Sequence, residues 1–251
     1  FTTLNMKRIE ELNYINKSSI THGEIYASSE DASEIEDKLN KIEGIGEKFI
    51  QARTGVSLLA LDLNLISDEF KEIFSYEVDE FLSNVQIYGF DDNSLKEIGI
   101  TDGLKENEVI LVNSRSRYDE NGKLKNINIT NLKEGDTFKV PASNFNEFHN
   151  EDYTESLLKD KAEDRYIEFK VKKVIDKNPF EEGYNYNFTI IMGYTDYEKV
   201  ISELYLNKWI KFRYSDMSNE ELTEEASKAV REIADEYEET LDKAKALMKV
   251  L

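Results

Sequence analysis

HGEIYASSEDASEIEDKLNKIEGIGEKFI, residues 22–50, is the stretch that decides the fold. Residues 24–27 have the pattern of a strand, and residues 48–50 resume an extended structure. Between them, a helix with one apolar face is indicated by hydrophobic residues at helical spacing, which are Ala32, Ile35, Leu39 and Ile42. The order of strand, helix and strand predicts a domain in which helices pack against a sheet.

The same stretch contains Gly44 and Gly46, a G-x-G pair of the kind found in dinucleotide-binding turns. In those turns the glycines follow a strand and precede a helix, whereas here they follow the helix. Phe49 also stands where the motif requires a third glycine or an alanine. We therefore interpret Gly44 as a residue that ends the helix, where a positive φ is favourable, and we expect no cofactor.

The charge of the chain restricts its partners. Its 52 acidic and 32 basic residues give a net charge of -20, which repels phosphate backbones, and no run of Lys and Arg offsets it. We therefore expect no nucleic-acid partner. The chain has no cysteine, so disulfides, thiolate nucleophiles and cysteine–zinc sites do not occur.

No motif in the sequence indicates catalysis. Phosphate-binding loops, nucleophile elbows and zinc-protease motifs do not occur, and the two histidines, His22 and His149, are far apart in sequence. We expect no catalytic residue and no metal site, and we interpret the chain as a non-enzyme. The abundance of carboxylates leaves a hydrolase with a paired-acid mechanism as a distant alternative.

The middle of the chain is rich in strands. Residues 104–193 contain the buried run NEVILVN, a hairpin signal and the alternating segment 166–175. Residues 20–103 and 194–251 mix helices with strands. We predict an α+β fold: a discontinuous, mixed α/β outer subdomain formed by 20–103 and 194–251, with a β-rich subdomain, 104–193, inserted into it.

Helices are expected at both ends of the chain and at residues 69–82. The last helix is predicted to begin at a capping box, Ser218-x-x-Glu221, and it meets no Gly or Pro before Leu251. Its length of roughly 30 residues corresponds to about 45 Å. Because neither end carries a stop signal and the first residue is Phe1, we interpret the chain as an excised fragment or a processed chain.

One loop, residues 176–187, carries aromatic residues among charged ones. Phe180, Tyr184 and Tyr186 are candidates for binding a partner, because exposed aromatic side chains anchor many interfaces. The alternative, that these rings pack beneath their own loop, stays open.

Several segments, taken in order, resemble a known family. HGEIYASSEDASEIEDKLNKIEGI is followed by LKENEVILVNSRS, NLKEGDTFKV, YIEFKVKKVIDKNP, FTIIMGYTDYEKVI and NKWIKFRYSDMSNEELTEEASKAVREI. This order is similar to that of the extracytoplasmic domain of FtsX-like (MacB-type) ABC transporter permeases. The resemblance covers most of residues 20–235, and EGDTFKV followed by FKVKKVID is its most specific part. The long linker 142–164 and the extended last helix depart from it.

The resemblance implies a domain that faces the outside of a bacterial cell membrane between two transmembrane helices, with residues 1–19 as a membrane-proximal helix. It further implies a permease dimer that works with cytoplasmic ATPase subunits and engages a peptide, lipid or protein substrate outside the cell. The alternative is a stand-alone secreted or surface-anchored binding protein.

Overall fold

The structure is a computed structural model that describes residues 19–53, 59–74, 81–141, 166–183, 185, 187–201 and 206–248. The strands are β1 (Gly23–Ala27), β2 (Ile45–Arg53), β3 (Leu59–Asp62), β4 (Phe81–Phe90), β5 (Glu108–Val112), β6 (Ser114–Tyr118), β7 (Leu124–Asn128), β8 (Thr137–Pro141), β9 (Tyr166–Ile175), β10 (Phe188–Gly193) and β11 (Lys208–Tyr214). The helices are α1 (Ala32–Leu39), α2 (Asp68–Ile73), α3 (Asp92–Glu97), α4 (Tyr194–Val200) and α5 (Glu220–Met248), with a short 3-10 helix at Leu63–Leu65. The predicted α+β class is confirmed.

One mixed sheet of nine strands organises the described residues. Its order is β1-β11-β2-β4-β10-β5-β9-β8, and β3 pairs with the early part of β4. β11 lies between β1 and β2 and is antiparallel to both. The stretch that opens the domain is therefore a split β-α-β unit, in which α1 crosses from β1 to β2 over the intervening strand.

The sheet continues without a break into the segment that we expected to form a separate β-rich subdomain. β10 pairs with β4 in parallel, Phe188 lying opposite Val85, and β5 and β9 extend the sheet further. One apolar cluster also holds Ala52 and Ile87 together with Leu111 and Ile190. The described residues between 104 and 193 thus share their sheet and core with the flanking segments, and among them the β6–β7 hairpin forms a separate two-stranded sheet.

The two faces of the sheet are covered differently. On one face, α1 and α5 pack over the apolar side chains of β1 and β11, which include Ile25, Ile210 and Phe212. On the opposite face, α3 and the loop around Phe180 cover the centre of the sheet, where the buried side chains are Phe49, Tyr88, Phe90, Ile110, Val112 and Ile191. This second cover ends before β11 and β1, whose side chains on that face include the charged Glu24 and Lys211 and the aromatic Tyr26 and Trp209.

The 29-residue helix α5 is fixed to the sheet along its first half. Ala226, Val230 and Ile233 are buried against α1 and the sheet. On the α1 side, Lys38 Nζ lies 2.9 Å from a Glu236 carboxylate oxygen and 4.7 Å from the centroid of the Tyr237 ring. Each turn of α5 from residue 226 to residue 237 is thus held, as its apolar stripe predicts.

Two local predictions are wrong. The helix expected at 69–82 is α2, which ends at Ile73, and residues 81 and 82 already belong to β4. The expected capping box does not form at the start of α5. Instead, the Asn219 side chain accepts a hydrogen bond from the backbone N–H of Leu222 at 3.1 Å, so Asn219 caps the helix.

Gly44 has the positive φ that was expected of it, +94°, but it lies at the end of the turn that connects α1 to β2 and does not end the helix. The helix itself stops earlier than the apolar spacing suggested, at Leu39. A Cβ atom at Gly44 would lie 2.9 Å from Leu222 Cγ and 3.2 Å from Ala226 Cβ. The glycine therefore also lets α5 approach the sheet closely.

Gly44→Ala should destabilise the chain more than Gly135→Ala does. Gly135 has nearly the same φ, +91°, but a Cβ atom there would meet nothing within 4 Å. Both variants carry the cost of a left-handed alanine, about 1–3 kcal/mol. Overpacking against α5 should cost Gly44→Ala about 1 kcal/mol more, measured as the free energy of unfolding in urea. Equal losses for the two variants would contradict the packing of α5 against this turn.

Candidate functional site

A cleft of about 330 Å³ lies where the second cover of the sheet ends. Glu24 of β1, Lys211 of β11 and Arg53 of β2 project from the uncovered part of the sheet and form its floor. The loop at residues 180–182 forms one wall, and residues 19–23 form the rim. Because successive side chains of a strand point to opposite faces, these charged residues alternate with the apolar ones beneath α1 and α5.

The wall of the cleft is held in place by Phe180. Its ring is 1% exposed and lies 5.1 Å from the ring of Phe49 and 5.5 Å from that of Phe90, measured between centroids. Asn178 Oδ1 accepts a hydrogen bond from the backbone N–H of Phe180 at 3.1 Å, which tightens the turn through Pro179. The loop is thus anchored by an apolar side chain, and the residues that follow, Glu181 and Glu182, face the cleft.

Lys211 is the deepest charged group of the cleft. Its side chain is 6% exposed. Its ammonium group donates a hydrogen bond to the carbonyl oxygen of Phe180 at 2.8 Å and lies 3.1 Å from a carboxylate oxygen of Glu24, its partner in the β1–β11 register. A buried ammonium needs such partners, because removing it from water costs several kcal/mol.

Three polar groups surround one oxygen of Glu181, and one of them, the hydroxyl of Tyr88, also lies 3.2 Å from Gln86 Oε1. Arg53 Nη1 lies 3.4 Å from Glu181 Oε1, the hydroxyl of Tyr88 lies 3.3 Å from it, and Lys211 Nζ lies 3.9 Å from it. Burial, followed by the charge of Glu181, raises the pKa of the Tyr88 phenol, so this hydroxyl keeps its proton. The guanidinium of Arg53 also lies 4.5 Å from the centroid of the Trp209 ring.

The rim is tied to the sheet by Arg213. Its guanidinium makes ion pairs of 2.9 Å with Glu97 and with Glu47, and its Nε donates to the carbonyl oxygen of Ile20 at 2.9 Å. His22 lies two residues after Ile20 in the sequence, and its Nδ1 accepts a hydrogen bond from the backbone N–H of Tyr214 at 2.9 Å. Burial, followed by the positive charge of Arg213, lowers the pKa of His22.

Of the three aromatic residues expected to bind a partner, only Phe180 lies among the described residues. Phe180 is buried, so its ring is not offered to a partner; it packs beneath its own loop, the alternative that the sequence left open. Tyr184 and Tyr186 lie outside the described residues. The loop itself does border the cleft. No motif in the sequence points to Arg53 or Lys211 as functional residues. The feature that could have identified Lys211 is the alternation in KWIKFRY, residues 208–214, where it stands between two core residues.

A second cavity, of about 540 Å³, lies at the carboxyl ends of the parallel strands β4 and β10. Its charged lining is four acids and one lysine, which are Asp91, Asp92, Glu106, Asp196 and Lys199. Asp91 is engaged in capping α3, where it accepts a hydrogen bond from the backbone N–H of Ser94 at 2.8 Å, and its burial raises its pKa. The first cleft is the better candidate, because Lys211 is almost fully buried in it and both Lys211 and Arg53 lie near the same oxygen of Glu181.

Comparison with known proteins adds no assignment: no protein-family model matches the chain, and no curated protein matches it. Within the described ranges, no three His, Asp or Glu side chains are grouped to hold a metal ion. None of the helices described there combines the length and the hydropathy of a membrane-spanning segment. The function is therefore argued from the fold and the cleft.

Phe180→Ala should destabilise the chain by about 3–5 kcal/mol, because it removes a buried ring that joins the loop to the sheet. Met217→Ala, at a side chain that is 55% exposed, is the control and should change the free energy of unfolding by less than about 0.5 kcal/mol. Urea unfolding followed by circular dichroism measures both. A loss below about 1 kcal/mol for Phe180→Ala would mean that the loop is not anchored by this ring.

His22 should titrate below the usual value of about 6.5. The unfolded chain then takes up a proton at a higher pH than the folded chain, so the contribution of His22 to stability is complete above pH about 6.5 and decreases as the pH falls towards the folded pKa. An NMR titration of the imidazole, compared with the same chain in urea, measures both values. A folded pKa equal to or above the unfolded one would contradict the partial burial of the imidazole beside Arg213.

Proposed function

We propose that this chain is the extracytoplasmic domain of a bacterial FtsX-like (MacB-type) ABC transporter permease. In this proposal the domain engages a peptide, lipid or protein outside the cell membrane, and cytoplasmic ATPase subunits drive its movement through the full-length permease, which acts as a dimer. The chain itself catalyses no reaction.

The order of the segments supports this proposal. The runs that resemble the family after the opening unit correspond to β5, β8, β9, β10 and β11, and all five belong to the one sheet that also contains the opening unit. The similarity therefore follows one connected structural unit through the chain.

The observation that carries the proposal is the attachment of α5. This helix spans 29 residues, about 44 Å, and is docked on the sheet as far as Tyr237. A helix that is rigidly held at one half and continues for about two to three turns beyond it is suited to transmit motion between the sheet and whatever its far half is joined to. In the proposal this is the connection to the membrane part of the permease.

The full-length coding sequence tests the proposal first. A permease requires an apolar segment of about 20 residues on each side of the domain, and the protein should purify from the membrane fraction together with an ATPase subunit. A secretory signal upstream, with no apolar segment downstream, would contradict the proposal. That outcome would favour a stand-alone secreted or surface-anchored binding protein.

The role of α5 has its own test in the reconstituted transporter. Replacing Glu238 and Glu239 together by glycine should soften the helix just beyond its docked half, since each glycine costs about 1 kcal/mol relative to alanine. We expect the ATPase to lose its response to substrate. The matched variant with alanine at both positions keeps the helix and should keep the response. Retention of the response in the glycine variant would show that α5 does not transmit the motion.

A further inference from the structure

The contacts of Glu181 in the cleft are long compared with those of its neighbours. Its Oε1 lies 3.3 Å from the hydroxyl of Tyr88, 3.4 Å from Arg53 Nη1 and 3.9 Å from Lys211 Nζ. Hydrogen bonds between ionised groups are usually about 2.7–2.9 Å long. In the same cleft Lys211 reaches that length with the carbonyl of Phe180, at 2.8 Å. The three donors are therefore arranged around a carboxylate that fits them loosely.

The donors themselves are firmly positioned. Tyr88 is 4% exposed and Lys211 is 5% exposed, and both project from strands in the interior of the sheet. Arg53 is held by the ring of Trp209. Glu181 instead lies on a loop, and its side chain is 33% exposed. The three donors are thus fixed by the fold, whereas the carboxylate that contacts them belongs to the loop that forms the wall of the cleft.

We propose that Tyr88, Arg53 and Lys211 form a binding site for the carboxylate group of a ligand, and that Glu181 occupies this site when no ligand is bound. The carboxylate of Glu181 shows which chemistry the donors accept: a planar group with a single negative charge. A dianionic phosphate suits the cleft poorly, because Glu24 and Glu182 also line it. The carboxylate comes either from the C-terminus of a peptide or from a small organic acid.

The proposal concerns the chain itself and does not depend on a role in transport. The ligand competes with Glu181 for the three donors. Only the fraction of molecules in which Glu181 has left the donors can bind the ligand, and the apparent affinity is reduced by that fraction. Neutralising Glu181 while keeping its size should therefore strengthen binding. Removing the hydroxyl of Tyr88 should weaken it, because one of the three donors is lost.

Trp209 provides a direct signal for the test. It is the single tryptophan of the chain, and the guanidinium of Arg53 lies on its ring. A ligand that draws Arg53 towards itself should change the tryptophan fluorescence, and calorimetry can measure the same dissociation constant independently. The probes are N-acetyl-Ala-Ala with a free C-terminus, the same dipeptide as its C-terminal amide, butyrate and inorganic phosphate.

We expect Glu181→Gln to bind N-acetyl-Ala-Ala about tenfold more tightly than the unaltered chain does. Asp176→Asn removes one negative charge from the same loop at an exposed position that does not line the cleft, and it should leave the affinity unchanged. Adding Tyr88→Phe to Glu181→Gln should weaken binding several-fold, and thermal unfolding verifies that this variant is folded. The amide and phosphate should bind at least tenfold more weakly than the free acid.

The outcomes separate the two sources of the carboxylate. Tighter binding of the dipeptide acid than of butyrate indicates a peptide C-terminus, whereas equal binding of the two indicates a small organic acid; both support the site. Equal affinities of Glu181→Gln and Asp176→Asn would overturn it. So would equal binding of the acid and its amide, tighter binding of phosphate, or the absence of binding by every probe to Glu181→Gln.

Discussion

Every second side chain of β11 points to the same face of the sheet, and this period of two links the fold to the cleft. Ile210 and Phe212 pack beneath α1 and α5, while Lys211 between them points to the opposite face. Because β11 pairs with β1 and β2 at once, its register is fixed from both sides. A shift by one residue would exchange the two sets of side chains and bring an ammonium group beneath the helices.

The position of Lys211 in turn depends on two neighbours from distant parts of the chain. Glu24 lies directly opposite Lys211 in the pairing of β1 with β11 and forms an ion pair with it. The carbonyl of Phe180 accepts a hydrogen bond from Lys211, because the Phe180 ring is buried beside Phe49 and holds the loop there. Apolar packing of one loop residue thus supplies a hydrogen-bond acceptor for a buried charge. The apolar contact of Phe180 with Phe49 and the ionic contacts of Lys211 lie on the same face of the sheet, so the packing of the loop and the charged cleft stabilise each other.

Much of the local structure is predictable from the sequence. The alternation of 166–175 and of 208–214 predicts β9 and β11, because one face of each strand is apolar. Periodicity fails where apolar residues suit both a helix and a strand, as at Phe81 and Leu82. The parallel pairing of β4 with β10 is not visible either, since it joins residues far apart in the chain, and this pairing is what merges the expected β-rich insertion with the rest of the sheet.

The cleft was only partly predictable for a related reason. The loop was singled out by its aromatic residues, but single cations such as Arg53 and Lys211 in an alternating strand are typical of a solvent-exposed face. Lys211 is buried because the loop around Phe180 lies against it, and the sequence does not reveal this long-range contact. The cleft and the helix α5 lie on opposite faces of the same two strands, β1 and β11.

Lys211 is almost fully buried and is held between Glu24 and the carbonyl of Phe180. Proton-detected NMR of the lysine ammonium groups tests this arrangement most directly, because a buried and hydrogen-bonded ammonium exchanges its protons slowly with water. We expect a separate Lys211 signal with much slower exchange than that of Lys125, which is exposed on β7. Exchange of Lys211 at the rate of exposed lysines would contradict it.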